Sequence, residues 1–440
     1  MAGEWTQHKV SELIEHGALI VGDGYRAKNS ELNDSGLPFA RAGNVNAGFL
    51  FSGTDCFPEK NLHHVGNKVS QPGDVVFTSK GTVGRFAFVR LDTPRFVYSP
   101  QLCFWRSVDR ELIDPRFLSF WMSGREFYIQ FKGVAGQTDM AEYVSLADQR
   151  RMHITLPPLP EQRAIARILG TLDDKIELNR QMNETLEAMA RALFKSWFVN
   201  FDSVRAKAEG RDLGLLKPLA DLFPDSFEDS ELGEIPKGWK VGPILETARL
   251  LSGGTPKTDR DEYWSGDIPW ASAKDVSQCG NSFLVETERK ITARGLDESA
   301  TQLIPALCSI VVARGATTGR MVVLGDAMAI NQTCYALATA IGTPFALYCH
   351  LREEIANLVH AAHGSVFDTI TTSTFATSKV TIPPDRVFRE FERRVDPMFR
   401  RVMAGTKASR TLAALRDTLL PKLISGELRV KDAERIVELV

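Results

Sequence analysis

The stretch LPPLPEQRAIARILGTLDDKIELN, residues 156–179, decides how this chain is organised. A short run of strand-forming residues ends at two prolines. A heptad-patterned segment follows, which predicts a long helix that begins after Pro160. The same arrangement returns at Ile382, where IPP precedes a second heptad-patterned segment. Each segment follows roughly 150 residues rich in short β-like runs, so the sequence predicts the order domain, helix, domain, helix.

Matches between the two halves indicate an internal duplication. The matched stretches are LPFA (37–40) with IPWA (268–271), QLCF (101–104) with QTCY (332–335) at the same offset, and SKGTVGR (79–85) with ARGATTGR (313–320), which has one additional residue. Because the matches keep the same order and two proline-led helices follow them, duplication is the interpretation that we adopt. Two similar domains at a fixed separation would suit a two-part target.

Composition bounds the class of protein. The chain has 440 residues, 43% of them hydrophobic and 25% charged, as in an ordinary globular protein of several domains. No stretch has the ~20 consecutive apolar residues of a membrane helix, and the first ten residues lack the apolar run of a signal peptide. We therefore expect a cytosolic protein without a membrane partner. The six cysteines form no CxxC pair, so we expect reduced, mostly buried thiols.

The net charge of −2 leaves a nucleic-acid partner open. Phosphate contacts usually give a basic excess, but a large protein can hold a basic groove within a neutral total.

The two heptad-patterned segments carry apolar residues at steps of three and four, the spacing of a coiled-coil seam. The first row is Ile165, Leu169, Leu172, Ile176, Met182, Leu186, Met189, Leu193 and Trp197, and the second is Phe388, Phe391, Val395, Met398, Val402, Leu412, Leu415 and Leu419. Asn179 interrupts the first row, which predicts a polar partner opposite. Gly405 and Ser409 in the second row would allow close approach of another backbone. Pro397 should bend the second helix or mark a fresh start.

Two packing arrangements are compatible with these rows. Each helix could pack on its own domain, as most amphipathic helices do, or the two could pair with each other. Because both rows persist for five turns or more, we favour antiparallel pairing. The predicted fold class is α+β, with two similar mixed α/β domains and a pseudo-twofold arrangement. The predicted divisions are a first domain (1–158), a central helix (159–200), a linker (201–231), a second domain (232–384), and a C-terminal helix and tail (385–440).

Several stretches together resemble the specificity subunit of type I restriction-modification enzymes. They are FPDSFEDSELGEIPKGW (223–239), SGGTPKT (252–258), GDIPWASAKDV (266–276), LPPLPEQRAIARILGTLDDKIELN (156–179) and LRDTLLPKLISGEL (415–428). The resemblance spans essentially the whole chain, and the combination in this order is highly specific.

The resemblance implies a function. Two target recognition domains would each read one half of a bipartite double-stranded DNA sequence. The two helices would form an antiparallel spacer that sets the gap between the halves and docks two methyltransferase (M) subunits, and two restriction (R) subunits would join the complex. The chain itself would bind no cofactor, because S-adenosylmethionine, ATP and Mg would belong to its partners. The residues assigned to spacer and partner binding are Ile165, Leu169, Leu172, Ile176, Asn179, Leu186, Leu193, Phe388, Phe391, Val395, Val402, Leu412 and Leu419.

The residues themselves agree that catalysis lies elsewhere. No GxxxxGK[ST] loop is present to cradle phosphates. No Asn or Asp precedes Pro-Pro and an aromatic residue, which is the sequence with which amino-methyltransferases grip adenine. We predict no catalytic residue and no metal site.

Two groups of residues superficially suggest metal or partner sites. His360 and His363 lie near Glu353 and Glu354, but without a third ligand at a suitable spacing they are better explained as a solvated helix face. The adjacent carboxylates at 173 and 174 are predicted to be solvated charges or partner contacts.

The paired glycine-rich loops are the first candidates for DNA contact. Lys80, Arg85, Arg314 and Arg320 would contact backbone phosphates, assisted by Thr82 and Thr317. The alternative is a structural hairpin whose arginines cap carboxylates.

Loops elsewhere provide the second candidates. Arg41 and Asn44 correspond to Ser272 and Asp275 in the other repeat, with Lys274 between these two. Such side chains could read base edges in the major groove, but they serve equally well as turn formers. Gln137, in the loop 133–139 that is matched by 364–368, is a further base-reading candidate.

Because the loop residues differ between repeats while the frameworks match, the sequence predicts an asymmetric target. Two rival interpretations remain. The chain could be a coiled-coil scaffold or adaptor that does not bind DNA, or a cryptic enzyme, which would need catalytic residues that we do not find.

Overall fold

The computed structural model describes residues 4–46, 48–80, 83–135, 144–212, 214–361 and 369–437. The chain forms two compact units, the first made of Met1–Lys175 with Leu412–Val440 and the second of Ile176–Thr411. The boundaries fall inside the two long helices. Each unit therefore contains one of the duplicated domains and a part of both helices.

The helices confirm the two long elements that the heptad rows predict. In chain order the helices are α1 Val10–Glu15, α2 Pro115–Met122, α3 Arg125–Ala135, α4 Leu146–Arg151, α5 Leu159–Phe198, α6 Asp202–Ala208, α7 Lys217–Ala220, α8 Ala273–Gln278, α9 Ala293–Asp297, α10 Pro344–Ala361, α11 Thr372–Thr377, α12 Asp385–Ile424 and α13 Val430–Val437. Both α5 and α12 have 40 residues and begin directly after the paired prolines. Helix α12 continues through Pro397, so the proline does not mark a fresh start.

The strands of the first unit form a four-stranded sheet, a three-stranded sheet and a terminal pair. They are β1 Thr6–Lys9, β2 Leu19–Asp23, β3 Leu37–Ala40, β4 Cys56–Phe57, β5 Val75–Thr78, β6 Phe86–Phe88, β7 Val97–Tyr98, β8 Leu102–Ser107 and β9 His153–Leu156. The strand orders are β2-β8-β5-β6, β4-β3-β7 and β1-β9. Strand β1 pairs with β9 directly before α5, which fixes the domain to the start of that helix.

The strands of the second unit repeat this plan and add to it. They are β10 Phe227–Ser230, β11 Gly233–Pro236, β12 Lys240–Pro243, β13 Ala248–Ser252, β14 Trp264–Ala271, β15 Phe283–Leu284, β16 Arg289–Ile291, β17 Leu303–Ile304, β18 Ser309–Val312, β19 Met321–Leu324, β20 Met328–Ile330, β21 Cys334–Thr339 and β22 Lys379–Ile382. The strand orders are β13-β21-β18-β19-β15, β16-β14-β20-β17, β12-β22 and β10-β11.

The strand register confirms the duplication. Strand β3 pairs in parallel with β7, which places Ala40 opposite Tyr98, and β14 pairs in parallel with β20, which places Ala271 opposite Ile330. The antiparallel order β2-β8-β5-β6 returns as β13-β21-β18-β19. Since parallel pairs are uncommon in sheets built of antiparallel neighbours, their return at the same place shows that the framework is repeated.

One of the predicted matches is shifted by one residue. Thr78 lies opposite Leu102, while Val312, its counterpart before the second hairpin, lies opposite Cys334. Leu102 is therefore the counterpart of Cys334, and the alignment of QLCF with QTCY is wrong by one position. A shared Gln and Cys suggested that alignment, but the ladder hydrogen bonds set the register, and a slip of one residue exchanges the two faces of a strand.

In the first unit, the beginning of α5 packs beside the end of α12. The buried seam residues there are Ile165, Leu169, Leu172, Leu412 and Leu419. Arg416 Nη1 lies 2.7 Å from Asp173 Oδ1, so an ion pair joins the helices beside the seam.

In the second unit the pairing continues around a polar layer. Asn179 Nδ2 lies 3.2 Å from Ser409 Oγ, and Asn183 Nδ2 lies 3.3 Å from Thr406 Oγ1. A Cβ atom at Gly405 would stand 2.8 Å from Asn183 Oδ1, so glycine permits the close approach there. These contacts confirm the predicted polar partner for Asn179.

Apolar side chains continue the seam beyond this layer. Phe388, Phe391, Val395 and Val402 are buried, whereas Ile176, Leu186 and Leu193 are half-buried. The rings of Phe194 and Phe391 stack edge to face at 5.6 Å, and those of Phe198 and Phe388 stack at 5.4 Å. Across both units the partner number on α12 falls as the residue number on α5 rises, so the helices are antiparallel, as predicted.

The predicted row fails at Met189, whose surface is 50% exposed. The buried positions on this part of α5 are Ala190, Phe194 and Trp197. A straight helix has 3.6 residues per turn, so it drifts by about 20° per heptad from a strict 3.5 repeat. At Met189 this drift has moved the seam by one position, to Ala190, and at the end of α5 both Trp197 of the predicted row and its neighbour Phe198 are buried.

The prediction for Asp173 and Asp174 is also wrong, because both carboxylates make ion pairs within the first unit. Asp174 accepts from Arg90 at 2.7 Å and from Arg116 at 2.7 and 2.9 Å. Arg116 also donates to the carbonyl of Gly170, and a Cβ atom there would stand 2.6 Å from its Nε. The first domain is thus fastened to α5 by side chains that the sequence separates by more than fifty residues.

The segment 201–231 contains the expected short helices, α6 and α7. It also contributes buried Phe201, Val204, Leu219 and Phe223 to the core of the second unit. The Phe223 ring stands edge to face on Trp197 at 5.0 Å. This segment is therefore packed onto the end of α5 rather than loosely attached.

The second domain is fastened to α12 through a buried carboxylate. Glu392 accepts from the backbone N–H of Ala346 at 2.8 Å and of Phe345 at 3.1 Å, in the first turn of α10. In the first unit the equivalent first turn, that of α2, is capped by its own Asp114, which accepts from Arg116 N and Phe117 N at 2.9 Å. The second domain thus receives from the long helix the N-cap that the first domain supplies itself.

The buried Glu392 carboxylate should make the stability of the second unit depend on pH. Burial raises the pKa of Glu392 to about 7, because its effect exceeds that of the two backbone amides, which lower the pKa. Smaller charge effects come from Asp396, which raises the pKa, and from Arg400, which lowers it. Since the folded pKa lies above the unfolded value, the native state binds the additional proton, and stability falls as pH rises from about 5 to 8. Relative to wild type, Glu392→Gln should gain up to about 3 kcal/mol in free energy of unfolding across this range.

Thermal and denaturant unfolding at pH 5.5, 7 and 8.5 would measure this difference. Glu390→Gln is the matched control, because Arg393 holds the pKa of Glu390 below its ordinary value, so its charge does not change in this range. A constant difference between the Glu392→Gln variant and wild type would contradict the assignment.

Candidate nucleic-acid interface

The first candidate loop connects β5 to β6 as a tight hairpin. Thr78 N donates to the carbonyl of Arg85 and Arg85 N donates to Thr78 Oγ1, both at 3.0 Å. Gly84 has φ +89°, a conformation that favours glycine. Lys80 is half-buried and Arg85 exposed. Thr82 lies outside the described residues.

The matching loop connects β18 to β19 in the same way. Val312 N donates to the carbonyl of Arg320 at 2.9 Å, and Gly319 has φ +87°. Arg314 and Arg320 are exposed. In the described part of the chain, no carboxylate lies within 4 Å of the guanidinium of either residue or of Arg85. The alternative in which these arginines cap carboxylates therefore finds no support among the described residues.

The loop after β3 holds its candidate side chains in local contacts. Arg41 Nη2 lies 2.7 Å from Asp55 Oδ2. Asn44 Oδ1 accepts from Arg41 N at 2.7 Å, and its Nδ2 donates to the carbonyl of Leu50 and to Thr54 Oγ1. Asn44 thus acts as a turn former here, and Arg41 already has a carboxylate partner.

The loop after β14 forms helix α8. Ser272 and Asp275 make a reciprocal capping box at its start. Lys274 is exposed, and its hydrogen bond to Glu288 at 2.5 Å raises the pKa of the ammonium group. Of the predicted residues, the hairpin arginines are therefore better placed than Lys274 to take up a phosphate.

Hydrogen bonds connect the candidate loops of the first unit to one another. The carbonyl of Gln101 accepts from Ser79 N at 2.9 Å, at the start of the hairpin, and its Oε1 accepts from Ala42 N at 3.0 Å, in the loop after β3. Val144 N donates to the carbonyl of Ser79 at 3.4 Å. Val144 directly follows residues 136–143, which include Gln137 and lie outside the described residues.

In the second unit, one of these hydrogen bonds is repeated and another is replaced. Ser277 Oγ of α8 donates to Thr317 Oγ1 of the hairpin at 2.7 Å. Ile370 N donates to the carbonyl of Ala313 at 2.8 Å, and the backbones of Arg314 and Thr369 form an isolated antiparallel β-bridge. The loop 364–368, which matches 133–139, directly precedes these residues and lies outside the described ones.

Gln101 and Ser277 hold the loops together but were not predicted. Gln101 appeared in the sequence only as a mark of duplication, paired with the wrong residue. Gln101 directly precedes β8 and follows both of the loops that it joins, so the sequence carries no signal of this role. Ser277 gives no signal in the sequence, because its bond to Thr317 spans forty residues.

The solvated helix face that we predict for His360 and His363 falls in part on His363, which lies outside the described residues. The neighbouring carboxylates have other partners: Glu353 lies 3.7 Å from Lys195 Nζ, and Glu354 accepts from Ser378 Oγ. In the described part of the chain, no group of His, Cys, Asp or Glu side chains could hold a metal ion. All six cysteines are free, as predicted, and four of them are buried.

With this geometry in place, comparison with known proteins decides the family. The family described as type I restriction modification DNA specificity domain matches residues 3–188 and 236–387. The chain belongs to this family. The two matched ranges cover the two duplicated domains.

Known proteins resemble this specificity subunit along most of their length. The HindI type I restriction enzyme specificity subunit of Haemophilus influenzae is 25% identical over 423 residues, covering 84% of this chain and 89% of that protein. The MjaIX specificity subunit of Methanocaldococcus jannaschii is 22% identical over 444 residues, covering 98% and 94%. The crystal structure of the S subunit from M. genitalium covers 96% of both chains with a TM-score of 0.60 and 14% identity, which supports the fold.

Family membership also confirms the prediction that the chain is not an enzyme. Specificity subunits are non-catalytic, and the catalytic activities belong to the M and R subunits. Among the described residues, no helix is both long and apolar enough to cross a membrane.

Proposed function

We propose that this chain reads an asymmetric, bipartite sequence in double-stranded DNA. Each domain places its three gathered loops against one half-site. Side chains in the loops specify bases, and hairpin cations contact phosphates to set the register. The observation that carries this proposal is that in both units the hairpin is hydrogen-bonded, directly or through Gln101, to the loop after the parallel strand and to the segment that follows the third candidate loop, on a repeated framework with different side chains.

The differences between the loops support an asymmetric target. Arg41 and Asn44 of the first unit correspond to Ser272 and Asp275 of the second. The loop after β3 is a single turn, whereas the loop after β14 is helix α8. Different donor and acceptor patterns would select different base pairs.

The helix pair would act as the spacer. Its polar layer favours one register, because a slip would separate Asn179 from Ser409 and bury unpaired polar groups. With the register fixed, the length of the paired helices would determine the number of unread base pairs between the half-sites.

The outer faces of the helix pair would dock two methyltransferase subunits, which supply S-adenosylmethionine and methylate adenine. Two restriction subunits that use ATP and Mg would join for cleavage. Sequencing the methylated bases of a strain that carries this chain and its partner subunits tests the proposal, since an adaptor that does not bind DNA would leave no mark that depends on this chain's loops.

A further inference from the structure

A cleft of about 510 Å³ opens in the second unit. Its walls come from α5, from the turn between α8 and β15, from the β18–β19 hairpin and from α10. Three of these elements each contribute an arginine: Arg191 from α5, Arg320 from the hairpin and Arg352 from α10.

The charge of the cleft is positive. Glu187 is the one carboxylate among its lining residues. It accepts from Ser282 N at 3.1 Å, and its Oε2 lies 3.6 Å from Arg191 Nη1. Arg352 Nη1 lies 3.4 Å from the hydroxyl of Tyr348. One of the three guanidinium groups is thus paired with the one carboxylate, so the lining carries a net charge of +2.

The lining indicates what kind of anion would fit. The remaining polar residues, Asn281, Ser282 and Thr318, are small. The aromatic residue of the cleft, Tyr348, is only 2% exposed, so no ring is available for a base to stack on. The cleft suits a phosphate group without its base, and Arg320 belongs to the hairpin that we place at the DNA.

We propose that this cleft holds a backbone phosphate of the DNA at the second half-site, so that the spacer helix itself contacts DNA through Arg191. This inference rests on the proposed function. Counted from the starts of the long helices and of α2 and α10, the positions equivalent to Arg191 and Arg352 in the first unit are Asp417 and Ser123. The first half-site lacks this contact.

The test measures DNA affinity of the full chain in complex with its methyltransferase subunits, as a function of salt. One duplex carries the target sequence that is identified by sequencing methylated bases, and a second duplex carries a scrambled sequence. Arg191→Gln and Arg320→Gln should each bind both duplexes about five- to tenfold more weakly at 0.15 M salt. Each should also reduce the slope of log K against log salt by part of the ~0.9 that one whole phosphate contributes. Arg393→Gln, which removes an exposed arginine held by Glu390, should leave affinity and slope unchanged.

Arg352 is partly buried, so two variants separate charge from packing. Arg352→Gln should bind DNA more weakly than wild type and with a smaller slope of log K against log salt. Arg352→Lys, which keeps the charge, should retain most of the wild-type affinity and slope. Wild-type affinity and slope in the Arg191 and Arg320 variants would overturn the inference, and so would equal losses for Arg352→Lys and Arg352→Gln. The proposed function is judged separately, by whether the wild-type complex prefers the target duplex to the scrambled one.

Discussion

Replacing Asp74 by alanine is expected to lower the free energy of unfolding of the first domain by about 3 to 5 kcal/mol. The side chain of Asp74 is fully buried. Its carboxylate lies 2.6 and 2.7 Å from Arg106 Nε and Nη2 and accepts from the Tyr98 hydroxyl at 2.6 Å. Removing the carboxylate leaves a buried guanidinium without its counter-charge.

The second domain shows that this network is not needed for the fold. By the ladder register, the counterparts of Asp74, Tyr98 and Arg106 are Cys308, Ile330 and Ala338. Cys308 and Ile330 are buried in an apolar core, against which Ala338 packs. Because desolvation offsets much of the attraction within a buried ion pair, an apolar set of similar volume should cost less than a broken pair. The triple variant Asp74→Leu, Tyr98→Phe and Arg106→Met should therefore be more stable than Asp74→Ala.

Hydrogen exchange of the amides in β5 and β8 of the full chain would measure both effects in the first domain. Asp55→Ala, which breaks the exposed pair with Arg41, is the control and should cost less than about 1 kcal/mol. A triple variant that is less stable than Asp74→Ala, or an Asp74→Ala variant as stable as the control, would be incompatible with this description.

Deleting one heptad from the helix pair should shorten the unread spacer and leave both half-sites unchanged. Seven residues removed within 176–189, together with seven within the facing stretch 399–412, take away about 10 Å of helix at 1.5 Å per residue. At 3.4 Å per base pair, this corresponds to about three base pairs. The two half-sites should stay the same because the loops that read them are untouched.

The readout is the methylated motif in a strain that carries the shortened chain. A deletion in α5 alone is the control, and it should abolish methylation because the apolar rows and the polar layer no longer face each other. Altered half-site sequences in the matched deletion would refute the spacer role of the helices.

The long helices and their pairing were predictable because heptad rows are local signals with a long period. The polar partner of Asn179 followed from the rule that a lone polar residue in a seam needs one opposite. The duplication was visible because it preserved turn glycines and strand patterns.

Contacts between distant parts of the chain were not predictable. Asp74 with Arg106, Glu392 with the first turn of α10, and Asp174 with Arg116 join residues that no local pattern connects. The one-residue shift at β8 has the same origin, since register is set by cross-strand hydrogen bonds that sequence identity does not report. Within the site, the hairpins were identified, but Gln101 and Ser277, which hold the loops together, required the structure.

An asymmetric, bipartite target is tested most directly by the methylated motif of the wild-type chain with its partner subunits, determined by sequencing modified bases across a genome. We expect two different defined half-sites separated by a spacer of fixed length and undefined sequence. A palindromic motif or a continuous one would contradict this expectation.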